Sequence, residues 1–245
     1  MQEERKRRSP FYSPDRAVIR LQIHFRVVPV KVTHSNFTNY CYIALNQATR
    51  ESVVVDPAWE LGKIEATLSA YGASVRAILL THSHHDHVSL ADVLATRQGC
   101  PVYMSEEEAR YYGFQCSNLR LIRSETPLRL GSLEIMPILT PGHTKGSVCY
   151  LVGDNLFTGD TLFAEGCGMC TGRGADPHAL FDSLQKLKHK LSSKNKIFPG
   201  HSYGMPPGQF YSSLLERNIY LMLEDRSRFV SFRMRQNQTG LMAFK

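Results

Sequence analysis

The sequence predicts a layered α/β domain, with sheets inside and helices outside, and three observations carry that expectation. Strand-type runs dominate each half of the 245-residue chain, and helical segments are interspersed among them with no repeat of short fixed period. That pattern favours helices packed on the outer faces of sheets. Residues able to bind metal recur where strands end, so that loops can converge on one place. With 42% hydrophobic content, the chain can bury one substantial core or two small ones.

The elements follow from local pattern. Residues 21–30 alternate and are rich in Val, Ile and Phe, as a strand requires. Residues 40–44 and 52–55 read as strands joined by the polar turn 46–50. Residues 60–71 read as a helix with Leu61, Ile64, Leu68 and Tyr71 on one stripe. A strand over 76–80 runs into a histidine-rich loop, and 89–97 reads as a helix with Ser89 as its N-cap. Residues 101–104 form a short strand and 106–112 a short helix. Alternation on both sides of Gly131-Ser132 signals a hairpin over 128–135, and 147–157 forms another about Gly153-Asp154. A helix over 176–191 is capped by Asp176, with Pro177 at its first position. A strand over 196–198 follows, and a helix over 209–224 closes the pattern, Met222 being a packing residue on it.

Composition narrows the function classes. No run of 18 apolar residues occurs, so no membrane span is expected. The opening residues are polar and charged, without an apolar signal core. Residues 1–17 read as a disordered basic tail, 18–206 as the functional domain and 207–245 as a short C-terminal helical segment. The net charge of +7 comes partly from the tail and partly from Arg217, Arg226, Arg228, Arg233, Arg235 and Lys245. It suits an anionic substrate or an acidic partner and is too dispersed to argue for nucleic acid. Six cysteines in a chain of this kind suggest reduced thiols and a cytoplasmic location. Cys167 and Cys170 have C-x-x-C spacing but read as part of a glycine-rich loop.

The chemistry is concentrated in Thr81-His82-Ser83-His84-His85-Asp86-His87. Burying such a cluster without compensation would cost several kcal/mol of desolvation, and a divalent metal compensates best. His82 and His84 stand two apart, so an extended backbone turns both rings to one side. Asp86 and His87 lie around a bend, where they can face a second ion. Three later segments each end a strand with glycine and present one ligand: Pro141-Gly142-His143-Thr144, Thr158-Gly159-Asp160-Thr161 and Pro199-Gly200-His201. His85 is out of phase with its neighbours and is expected to support a ligand or be exposed; His24, His34, His178 and His189 read as structural or surface residues.

Asp56 in Val54-Val55-Asp56-Pro57 and these four motifs resemble, in order, the five motifs of the metallo-β-lactamase fold. The resemblance implies an αββα sandwich with a dinuclear site at one edge, spanning about residues 20–206. It implies that His82, His84 and His143 hold one ion, that Asp86, His87 and His201 hold another, and that Asp160 bridges them. Asp86 and Asp160 would be the catalytic carboxylates, and Asp56 would orient a ligand without binding metal. The ions would be zinc, with iron or manganese as alternatives. A hydroxide shared between them would attack an acyl carbonyl.

Within that fold the chain looks most similar to glyoxalase II. The similarity lies in Asp160-Thr161-Leu162-Phe163, Gly166-Cys167-Gly168, Gly200-His201-Ser202-Tyr203 and Asn218-Ile219-Tyr220-Leu221. Asp56-Pro57-Ala58-Trp59-Glu60-Leu61 resembles a subgroup of hydrolases encoded with bacterial polyketide synthases. The implied substrate is an acyl thioester, on an acyl carrier protein or on glutathione. Four residues, 169–172, separate Gly168 from Arg173, where many glyoxalase II proteins place arginine directly. The segment after Pro206 is also shorter than their glutathione-binding domain. Lys145, Arg173 and Tyr203 are candidates for substrate contact, and Arg233 and Arg235 for an acidic carrier protein. A persulfide dioxygenase with a single iron is the alternative on the same fold.

Overall fold

The computed structural model describes residues 25–236. The expected tail over 1–17 and His24 lie outside them. The first half runs β1 (Phe25–His34), β2 (Phe37–Asn46), β3 (Glu51–Val55), α1 (Leu61–Ala70), β4 (Ser74–Leu79), α2 (His85–Val88), α3 (Ala91–Gln98), β5 (Val102–Ser105), α4 (Glu106–Tyr112) and β6 (Leu119–Ile122). The second runs β7 (Leu128–Leu130), β8 (Leu133–Leu139), β9 (Val148–Val152), β10 (Asn155–Gly159), α5 (Pro177–Lys190), β11 (Lys196–Pro199), β12 (Gln209–Phe210), α6 (Tyr211–Arg217), α7 (Ile219–Met222) and α8 (Arg226–Arg233).

Two six-stranded sheets result, ordered β1-β2-β3-β4-β5-β6 and β12-β11-β10-β9-β8-β7. The first changes from antiparallel to parallel at β3–β4, and the second is antiparallel except for β10–β11. Period-2 alternation makes each central strand bury both faces. Tyr42, Ala44, Val53 and Val55 face the core between the sheets, whereas Cys41, Ile43 and Val54 face the helices of the first half. On the second sheet Val148, Tyr150 and Val152 point between the sheets and Cys149 points to the helices of the second half. The αββα sandwich read from the sequence is therefore the observed fold. The rings of Phe157 and Phe198 lie 5.4 and 5.5 Å from that of Tyr42 at its centre. Truncating any of these to alanine would cost about 3–5 kcal/mol. Among the described residues no helix is long and apolar enough to cross a membrane.

Local structure departs from expectation in four places. Ser89 does not cap the next helix: it closes α2, and its hydroxyl accepts from the Trp59 amide at 3.1 Å. The predicted helix over 209–224 is broken into β12, α6 and α7, because Asn218 leaves the helical conformation and restarts the chain by accepting from the Tyr220 amide. Met222 is 58% exposed and does not pack. Arg233 is 2% exposed, its guanidinium bonded to the Tyr220 hydroxyl at 2.9 Å, so it cannot meet a partner protein. Arg235 is half-buried against the same hydroxyl and the Phe232 ring. Burying these cations lets α8 close over the core shared by α5, α6 and α7.

Candidate metal centre

The seven residues singled out by motif come from four loops that follow β4, β8, β10 and β11. The sheets are joined across this edge by hydrogen bonds from Val148 to Thr81 and from Tyr40 to Gly200, both 2.9 Å. Strand β4 gives way to extended backbone through His84, and the single turn α2 then carries Asp86 and His87. Gly200 allows the last loop to close in: a Cβ there would stand 2.5 Å from the His87 ring and 2.7 Å from Asp160 Oδ1.

Three sets of donor atoms lie within 4.8 Å of one another: His82–His84–His143, His82–His87–Asp160 and Asp86–His87–His201. In the first, His84 Nδ1 is 3.0 Å from His82 Nε2 and 3.1 Å from His143 Nε2. In the last, Asp86 Oδ2 is 3.6 Å from His87 Nε2 and 3.3 Å from His201 Nε2. Asp160 stands between them, Oδ1 at 3.4 Å from His87 and Oδ2 at 3.6 Å from His143 and 3.5 Å from His201.

The outer hydrogen bonds settle what these nitrogens offer. Thr81 gives its hydroxyl proton to Asp56 at 2.7 Å, so it accepts from His82 Nδ1 at 3.0 Å. His87 Nδ1 donates to Asp56 at 2.9 Å, His143 Nδ1 to the Met169 carbonyl at 2.8 Å and His201 Nδ1 to the Thr38 carbonyl at 2.9 Å. In its neutral form each of these rings turns a bare Nε2 inward. Bare nitrogens facing one another and facing carboxylate oxygens repel unless a cation lies among them. His87 Nε2 and Asp160 Oδ1 are buried without any hydrogen-bond partner among the described residues. Nitrogen and carboxylate donors of this kind, with their outer nitrogens occupied, fit a divalent metal.

Electrostatics agrees. Burial opposes ionisation of Asp160, yet His201, His87 and His143 together hold its carboxyl well below the usual range. Burial likewise opposes charge on His201, and Asp160 with Asp86 overcomes it, raising that imidazole well above its usual value. For His82 and His143 burial wins and keeps them neutral, the form that binds metal. The site thus draws positive charge: Asp160 and Asp86 favour a cation against His201, while His82 and His143 keep their lone pairs.

Two supporting residues, Glu108 and Asn39, lie in none of the motifs, and a third, Asn218, opens the segment Asn218-Ile219-Tyr220-Leu221. Glu108 is fully buried and accepts from the Ser83 amide at 2.8 Å, the Ser83 hydroxyl at 2.7 Å and the Gly146 amide at 2.9 Å. It ties the histidine loop to the loop carrying His143. Ser105-Glu106-Glu107-Glu108 has the capping-box spacing, and Ser105 does cap α4, but the glutamate turns to the two loops instead of its own helix. At Gly146 a Cβ would meet the Glu108 amide nitrogen at 2.2 Å, so this contact requires glycine. Asn39, also fully buried, donates to the Asp86 carbonyl and steadies α2. Asn218 donates to the carbonyls of Phe163 and Gly166, both at 3.0 Å, fixing the loop after Asp160.

The other expected residues fall around the rim. Asp56 lies behind the donor residues in a left-handed conformation (φ 50°), bonding Thr81 and His87. Tyr203 sits beside His201, ring centroids 6.1 Å apart. Lys145 and Arg173 are exposed on neighbouring loops, and His85 is exposed next to His84. His34, His178 and His189 are on the surface. Cys167 and Cys170 are buried; burial pushes the Cys170 thiol up to about 12.

Comparison with known proteins accords with this geometry. Residues 37–201 match the Metallo-beta-lactamase superfamily. The chain is 43% identical, over 92% of its length and all of the relative's, to a probable polyketide biosynthesis zinc-dependent hydrolase, PksB, of Bacillus subtilis. It is 32% identical to a hydroxyacylglutathione hydrolase of Glaesserella parasuis, over 80% of this chain and 78% of that one. Among solved structures, ETHE1 from Myxococcus xanthus superposes with a TM-score of 0.74 at 26% identity, over 89% of this chain and 94% of that one. With its fold, its ordered motifs and this match over most of its length, the chain belongs to the metallo-beta-lactamase superfamily.

Proposed function

We propose that the protein is a metal-dependent hydrolase of acyl thioesters, acting in polyketide biosynthesis on an acyl group carried by an acyl carrier protein. Glutathione is the other candidate for the leaving thiol. The observation that carries the reading is the set of seven inward-facing donors, shared between two halves by Asp160, with the outer nitrogens of His82, His87, His143 and His201 already occupied. The 43% identity to a relative described as a zinc-dependent hydrolase of polyketide biosynthesis supports both zinc and the setting.

His82, His84 and His143 would hold one ion and Asp86, His87 and His201 the second, with Asp160 common to both. Bound there, divalent ions would bring the ionisation of a water towards neutral pH and polarise the acyl carbonyl. The chain's own residues do the rest. Asp86 and Asp160, ionised at the floor of the site, accept and orient the proton of the attacking water. Asp56 keeps the proton of His87 on Nδ1 and, through Thr81, that of His82. His84, exposed on the outer side, marks where substrate enters, and Tyr203 flanks the opposite half.

The test is turnover of acyl-glutathione, acyl-CoA and acyl-carrier thioesters, with metal content measured in parallel. The reading expects hydrolysis of the carrier thioester and two ions per chain. Oxygen consumption on glutathione persulfide by a chain holding one iron, with no thioester cleaved, would replace it with the dioxygenase.

A further inference from the structure

We propose that Lys145 and Arg173 form a cationic clamp beside the metal centre for an anionic group on the arm that bears the substrate's thiol, foremost the phosphate of phosphopantetheine. The inference rests on the thioester reading and adds what the protein recognises in the leaving group.

A cleft of about 610 Å³ opens directly against the site, lined by Ser83, His84, His85, Tyr112, Phe114 and Gln115. His84 belongs to both cleft and donor set, so an arm lying in the cleft ends at the reacting position. Tyr112 forms one wall, and its hydroxyl joins two loops: it accepts from the Lys145 amide at 3.2 Å and donates to the Arg173 carbonyl at 2.5 Å. The backbones of the two cationic residues are thereby held side by side. A Cβ placed on Gly174 would lie 3.2 Å from Lys145 Cβ and 2.5 Å from the Tyr112 hydroxyl. Arg173 is also held in place, its guanidinium carbon 5.0 Å above the Tyr111 ring and its Nη2 donating to the Tyr111 carbonyl at 3.4 Å.

Among the described residues, neither member of this pair has a counter-charge. Nearby Arg110 and Arg123 share Glu106, and Lys186 and Lys190 share Glu125. Lys145 and Arg173 take part in no ion pair among the described residues. The buried Glu108 cannot serve them, since both its oxygens are bonded to Ser83 and Gly146. A compact ammonium beside a planar guanidinium suits a phosphate, which accepts from both at once. An uncharged pantetheine arm offers the clamp nothing. Glutathione carboxylates share the anionic chemistry and are the second possible source.

The experiment compares S-acetyl-phosphopantetheine, S-acetyl-pantetheine and S-acetyl-glutathione as substrates of the metal-loaded full chain, with Lys145→Ala and Arg173→Ala beside the wild type. The wild type should show a KM about tenfold lower for the phosphorylated arm than for pantetheine, the size of one exposed charged hydrogen bond. Either variant should shrink that ratio, and the double variant should abolish it. A ratio near one in the wild type, or one retained in the double variant, overturns the clamp. Loss confined to acetyl-glutathione overturns the phosphate assignment. Titration calorimetry with phosphopantetheine and pantetheine themselves repeats the comparison without turnover. Should no thioester be cleaved, the proposed reaction fails, while this binding ratio still decides the clamp.

Discussion

Replacing Glu108 by glutamine should loosen the metal centre from behind, although Glu108 touches none of the seven donors. Both carboxylate oxygens are engaged, one by the Ser83 amide and hydroxyl at 2.8 and 2.7 Å, the other by the Gly146 amide at 2.9 Å. Glutamine retains one accepting oxygen and sets an amide N–H against an N–H in place of the other. A lost bond to a charged group and an unsatisfied buried donor together cost about 2–4 kcal/mol. In a domain of this size each kcal/mol lowers Tm by roughly 2–4 °C, so a fall of about 4–16 °C is expected. Because the loops bearing His82, His84 and His143 are no longer tied together, zinc affinity should drop by about 10–100-fold, as for other supports of metal ligands. Thermal unfolding of the metal-free protein and competition with a chromophoric chelator measure the two effects. Ser83→Ala, which removes the 2.7 Å bond, should give a milder loss of about 1 kcal/mol. A Tm and an affinity both unchanged in Glu108→Gln would refute the reasoning.

Two further perturbations test separate links. Asp56→Asn should keep a bond to Thr81 but present an N–H to His87 Nδ1, moving the His87 proton to Nε2 and lowering metal content to about one ion per chain; retention of two ions would contradict this. Glu51 joins the sheets by accepting from Ser132 and pairing with Arg76, bonds that hold its carboxyl at about 2. Its folded value is depressed below the ordinary carboxylate value of about 4.3. Its stabilisation is therefore complete above that value and fades as pH falls towards 2. Denaturation of wild type and Glu51→Gln across this range should show a stability gap that closes in acid, and a gap independent of pH would count against the linkage.

The cluster of seven donors was legible because each of them sits in a short motif. His82, His84, Asp86 and His87 share one loop, and glycine marks the turns that present His143, Asp160 and His201. The strand and helix pattern was legible for a similar reason, since periodicity is a local property. What escaped was long-range. Glu108 and Asn39 look like ordinary helix and strand residues until loops distant in the chain come to rest on them. Asn218 lies within a stretch of good helical pattern, and only its bonds to Phe163 and Gly166 explain the break. Arg233 read as a surface cation because nothing nearby in the chain announces the buried Tyr220 hydroxyl.

The central claim is that two ions share one carboxylate, and the most direct measurement is metal content per chain in wild type, His84→Ala and His201→Ala, each checked for an unchanged circular dichroism spectrum. The account predicts two ions in the wild type and about one in either variant, with thioester hydrolysis lost in both. Equal metal content in all three proteins would contradict it.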